Sequence, residues 1–168
     1  MAPETMDEVE EVERWNRIAM HVRSACVIAE RDGKDVLIKF DGARDNGYIY
    51  TVVTDVRGDT AYRMDSINLE EALSQMLGSG IANVTLPKED FADTLRTFNV
   101  LSTRGFVISF VISHDGEHLK FDTFLSGGGK SFATVREQGP VLKDIAAKIV
   151  REAEHQWAQM EHQGGHDD

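Results

Sequence analysis

Phe106-Val107-Ile108-Ser109-Phe110-Val111-Ile112-Ser113 decides the fold class. Large apolar residues fall on every second position, and Val107, Ser109, Val111 and Ser113 take the places between them. That is the period of a strand with one buried face. His114-Asp115-Gly116-Glu117 reads as a turn into a second strand over 118–125. There Leu119, Phe121 and Leu125 pack inward, while His118, Lys120 and Asp122 do not. A short turn between two such runs makes an antiparallel hairpin.

The same period recurs upstream. Residues 26–30 and 36–40 flank Arg31-Asp32-Gly33-Lys34, a hairpin signal. Val36, Ile38 and Phe40 share one face. A loop over 41–47 leads to a strand over 48–56, and Arg57-Gly58-Asp59-Thr60 turns it into a return strand over 61–64. These four runs predict one meander.

Helical spacing surrounds the strands. Val9, Val12, Asn16, Ala19 and Val22 predict a helix over 7–23, with acids at its start and Arg14, Arg17, His21 and Arg23 toward its end. That order suits the helix dipole. Asn68 followed by Glu71 is a capping-box pattern ahead of the stripe Leu69, Ala72, Leu73, Met76 and Leu77, which Gly78 closes. Residues 81–86 predict a short strand. Pro87 opens a short helix with Phe91, Leu95 and Phe98 inward. Residues 131–135 predict one more strand. After Gly139-Pro140 a long helix runs to about Met160 on the stripe Leu142, Ile145, Ala146, Ile149, Ala153, Trp157 and Met160.

Runs of strands followed by runs of helices indicate α+β. The expectation is an antiparallel sheet, a four-strand meander plus a second hairpin, with helices packed on one face and long N- and C-terminal helices. Residues 1–6 read as a disordered lead, 7–162 as a single domain and 163–168 as a frayed tail. No internal repeat is visible, and the Gly78–Gly80 region is the only seam.

Composition and charge narrow the function. The chain has 168 residues, 41% hydrophobic and 28% charged, with a formal net charge of −11. Glu4, Asp7, Glu8, Glu10, Glu11 and Glu13 crowd the start with no base among them. Glu152, Glu154, Glu161, Asp167 and Asp168 face only Arg151 at the end. The middle is close to neutral. No Lys/Arg cluster exists, so direct nucleic-acid binding has no footprint. No apolar run is long enough to span a bilayer, and the acidic N-terminus argues against an export signal, so the expected location is cytoplasmic.

No catalytic constellation emerges. Ser126-Gly127-Gly128-Gly129-Lys130-Ser131 ends like a P-loop, but Phe124 stands where the first glycine belongs. Gly127, Gly128, Gly129, Lys130 and Ser131 are kept as a candidate anion or ligand loop. Asp115, Glu117, His118, Lys120 and Asp122 cluster on one hairpin without converging on one strand face. His155 and His162 lie on one helical side but near a chain end. The lone cysteine, Cys26, reads as a small buried residue at the start of a strand. Asp41, Asp45 and Asn46 lack calcium-loop spacing. The expectation is no metal and no cofactor.

The reading favoured by these residues is a non-enzymatic, acidic protein-binding module that sequesters or blocks a protein partner. Its expected contacts are Tyr48, Tyr50, Tyr62, Lys120 and Asp122 on the strands, with Glu8 and Glu11 on the first helix. In outline the element order is similar to small bacterial binding proteins such as secretion chaperones and toxin-immunity proteins, an architectural analogy without a shared motif. Two other readings stay open. One is a phosphate or small-ligand enzyme centred on the glycine loop. The other is a nucleic-acid mimic acting through the acidic termini. Trp157 and Met160 leave room for a homodimer through the last helix.

Overall fold

A helical stripe that persists beyond its expected end shapes the first half. The computed structural model describes residues 6–45, 47, 49–56, 58, 61–78, 90–127 and 133–163, and the backbone alone for Met6, Met160 and Gln163. The first helix, α1, spans Met6–Asp32. Residues 26–30, expected as a strand, are its last turns. Val22, Ala25, Cys26 and Ala29 continue the buried stripe of Ile18 and Ala19, and all are inside the core. Val27 and Ile28 imitate a strand locally, but the three-and-four spacing wins because it buries one face along the whole helix. Arg31-Asp32-Gly33 is therefore a helix stop, with Gly33 at φ 63°, and not a hairpin turn. Cys26 is buried as expected, in a helix.

The strands follow as β1 (Val36–Asp41), β2 (Tyr50–Thr54) and β3 (Tyr62–Ser66), so the first meander has three strands. Helices α2 (Leu69–Leu77) and α3 (Phe91–Thr103) come next. Then β4 (Phe106–His114), β5 (Leu119–Gly127) and β6 (Val135–Gly139) form a second meander, and α4 (Leu142–Gln163) ends the fold. The last strand was expected at 131–135. It begins at Val135 because β5 offers its free edge there, pairing Leu125 with Val135 and Phe121 with Gly139. Its polar Arg136, Glu137 and Gln138 hide the strand period from the sequence. The 81–86 strand, the helix start at Pro87, Arg57, Asp59 and Thr60, the loop from Gly128 to Ser131, the Met160 side chain and the extreme ends lie outside the described residues.

Local chemistry matches these boundaries. Asn68 caps α2, accepting from the Glu71 amide at 3.3 Å. The return half of the expected box is made by Ser66, whose hydroxyl accepts from the Asn68 amide at 3.0 Å. Asp90 caps α3 through the Ala92 amide at 3.0 Å. In the β4–β5 turn, Asp115 accepts from the amides of Glu117 and His118 at 3.0 and 2.8 Å.

All six strands form one antiparallel sheet in the order β3-β2-β1-β4-β5-β6. This order contains a repeat that the sequence conceals. Each half runs helix, three strands, helix, and the halves meet where β1 pairs with β4. Ile38 lies opposite Phe110 and Phe40 opposite Ile108, a register that a two-fold rotation maps onto itself. Gly33 and Gly105, both with positive φ, stand one and two residues past the ends of α1 and α3. Leu69 and Leu142 open α2 and α4, and both are buried.

The helices cover one face of the sheet. α1 packs on α2 and α3, α3 packs on α4, and α2 and α4 lie over the outer strands. Val36, Ile38, Phe40, Val52, Ile108, Phe110, Ile112, Phe121 and Leu125 meet them. Arg17 to Glu70 at 2.7 Å ties α1 to α2, and Glu11 to Arg96 at 3.5 Å ties α1 to α3.

Thr123 sits in this apolar layer, fully buried, and among the described residues its hydroxyl has no hydrogen-bond partner. A buried hydroxyl without a partner costs free energy, and valine keeps the shape without it. Thr123→Val is expected to raise stability by about 1 kcal/mol, or roughly 2–4 °C in Tm. A melting curve that moves down instead would show that the hydroxyl is hydrogen-bonded.

Candidate protein-docking face

The side of the sheet away from the helices is built by the residues between the core positions. On β1 and β4 these are Leu37, Lys39, Val107, Ser109 and Val111, all only partly buried, whereas their neighbours along each strand are fully inside. Val53 pairs with Leu37, and Leu37 pairs with Val111, so three apolar side chains form one row across β2, β1 and β4. Phe124 on β5 lies in the next row, opposite Ser109.

Ion pairs flank this strip on both sides. Toward β3, the Asp65 carboxylate accepts from the Thr51 hydroxyl at 2.5 Å, from Arg44 at 3.1 Å and from Arg63 at 3.1 and 3.2 Å. Arg44 also meets Asp41 at 3.0 Å, and Lys39 meets the same Asp41 oxygen at 2.7 Å. Asp41 is buried, so its charge needs these cations. Toward β6, Arg136 holds Asp122 through two contacts of 3.0 and 2.6 Å and lies over the Phe124 ring at 5.1 Å.

The Thr51 hydroxyl above all, then Arg63 and Arg44, lower the Asp65 carboxyl from 3.8 to about 2, against partial burial, which pushes the other way. A lowered folded-state pKa stabilises fully above the unfolded value of 3.8 and is lost as pH falls through about 2. The Asp65 side chain is 35% exposed, so solvent screening reduces the effect. Asp65→Asn is expected to cost about 1 kcal/mol at neutral pH. The gap to the parent chain should close as pH drops through that window. Acid titrations of both chains by circular dichroism check this, and a gap independent of pH would contradict it.

The contact residues expected from the sequence divide between the two sides. Lys120 and Asp122 point out of the open face, in register with Ser113 and Val111. Tyr50 faces the helices and is buried. Its hydroxyl donates to Asn99 at 2.7 Å, its ring packs edge-on to Phe40, and burial pushes its phenol up. Tyr62 lies on that same helix side but at the sheet edge, where it is 67% exposed. Tyr48 is outside the described residues. Glu8 and Glu11 belong to the first turns of α1, in the helix layer. Tyr50 and Tyr62 therefore do not join Lys120 and Asp122 in one patch.

Gly127 ends β5 at φ 89°, where an added Cβ would lie 2.9 Å from the Gly105 carbonyl oxygen. Gly128, Gly129, Lys130 and Ser131 are outside the described residues. Just beyond them Ala133 is held to α4 by Gln156, which accepts from its amide at 2.8 Å and donates to its carbonyl at 3.2 Å. An open groove of about 750 Å3 lies here, lined by residues that include Lys148, Arg151, His155, Glu137 and Glu152. Its cations and carboxylates offset one another, which gives an anion no clear preference. Among the described residues, no group of three or more His, Cys, Asp or Glu side chains is placed to hold a metal ion. His155 and His162 are exposed on α4. Trp157 rests against Phe106 with centroids 5.9 Å apart and remains 39% exposed. No helix among the described residues is long and apolar enough to cross a membrane.

Leu37, Val53 and Phe124 were not singled out from the sequence as contacts. Their signal was present: they are apolar residues on the outward parity of strands whose inward parity is already apolar. Comparison with protein families, with curated proteins and with solved structures found no match for this chain.

Proposed function

We propose that the protein is a binding module that captures a protein partner on the open face of its sheet, so as to sequester or block it. The observation carrying this reading is the row Val53, Leu37 and Val111, with Phe124 beside it, left partly exposed between two sets of ion pairs. Apolar centres with polar rims suit protein interfaces. A rigid sheet presents them without ordering a loop, which lowers the cost of association.

Photo-crosslinking in the native cell tests it. A crosslinking residue at Val111 is expected to capture a partner that the same residue at Met20, exposed on α1, does not. Leu37→Glu in the Val111 chain should abolish the product. Capture at Met20 alone, or none at either position, contradicts the docking reading.

A further inference from the structure

Among the described residues the open face of this acidic molecule carries more cations than carboxylates. Lys39, Arg44, Arg63, Lys120 and Arg136 stand there against Asp41, Asp65 and Asp122, on a chain whose formal net charge is −11. The acid excess lies elsewhere, much of it in the first turns of α1. Among the described residues Lys120 makes no ion pair, so it can take a carboxylate without breaking an existing contact. Ion-paired Arg63 and Arg136 are also more than half exposed, at 57% and 58%.

The apolar strip has a measurable length. From Val53 on β2 to Phe124 on β5 there are three steps between neighbouring strands, roughly 14 Å at about 4.8 Å each. A helix covers roughly 16 Å between residues i and i+11, so three turns with an apolar stripe match it. None of the described helices covers this face, and a sheet accepts a helix layer on each side.

We propose that the occupant of this face is an acidic amphipathic helix of a partner protein. Its apolar stripe lies along Val53, Leu37, Val111 and Phe124, its Asp and Glu flanks meet Lys120 on one side and Lys39 on the other, and acids at its two ends meet Arg63 and Arg136. This rests on the docking reading above and gives its partner a chemistry. Two copies joined face to face would bring cations onto cations, which disfavours that arrangement.

The test uses the full chain and two labelled synthetic helices that share a four-leucine stripe. One carries Glu at its flanks and the other Lys. Fluorescence anisotropy is expected to show the Glu peptide binding at least about 10-fold more tightly, with the preference falling in high salt. Lys120→Glu should weaken the Glu peptide several-fold, and Val111→Asp should abolish its binding while the circular dichroism spectrum stays unchanged.

Equal binding of the two peptides, or no effect of Lys120→Glu, overturns the proposal. So does a single-stranded oligonucleotide that binds through Lys120 in place of the peptide. Self-association that Val111→Asp prevents, without peptide binding, assigns the face to a second copy and also overturns it. If neither peptide binds yet Val111 still crosslinks a partner, the acidic helix is wrong and the docking reading survives. If the crosslink is absent too, both fail.

Discussion

Phe98→Ala is expected to destabilise the protein by about 3–5 kcal/mol. Phe98 is fully buried on α3. Its ring lies 6.1 Å from Phe40 on β1 and 5.8 Å from Phe110 on β4, the two strands through which the halves of the fold meet. Phe40 in turn packs on Tyr50, whose hydroxyl is held by Asn99 beside Phe98. Truncation removes a large apolar side chain and leaves a cavity between close-packed neighbours that move little. Against a total stability of roughly 5–15 kcal/mol, that loss is large. Urea unfolding followed by circular dichroism should show a lower midpoint with an unchanged slope. A cost under about 1 kcal/mol would mean that the aromatic cluster does not join the halves.

Gly42→Ala is expected to cost about 3 kcal/mol or more, although one methyl group is added at a loop position. Gly42 follows β1 and donates its amide to the Phe106 carbonyl at 3.0 Å. An added Cβ would collide with the Ser102 carbonyl oxygen and lie 2.8 Å from the Phe106 oxygen. Both obstacles are backbone, at the junction of α3 and β4, so neither can rotate away. The residue is required for its lack of volume, because its φ is not in the left-handed region. Gly116→Ala is the control: its φ is 101°, but a Cβ there meets nothing within 4 Å. It should cost about 1–2 kcal/mol, from backbone strain alone. Thermal melts of the two variants compare them directly, and equal losses would sink the steric account.

Legibility in the sequence followed the range of the forces involved. Alternation over 106–113 and the stripe from Leu69 to Leu77 each bury a face that the local pattern defines, and both elements stand where they were expected. Cys26 to Glu30 misled because five residues with two β-branched members fit either period. The choice was made by contact with the sheet below, which rewards a continuous helical stripe. β6 was displaced for a similar reason. An edge strand with polar residues takes its limits from the neighbour's hydrogen bonds and not from its own pattern.

The candidate site divides in the same way. Outward-facing Lys120 and Asp122 were readable, since parity along one strand is a local property. That Val53, Leu37 and Val111 form a row was not, because it depends on the register of three strands drawn from both halves. Tyr50 and Lys120 both lie on strands, yet opposite faces claim them.

By itself the sequence determined that this protein has antiparallel strands with helices gathered on one side, a buried cysteine and acidic ends. Those properties follow from side-chain period and from charge counted along the chain. Only the tertiary structure decided that two halves of like element order meet at β1 and β4, and that Lys39, Arg63, Lys120 and Arg136 share the sheet face away from the described helices. Strand pairing brings together residues far apart in sequence, and no local period encodes which of them will become neighbours.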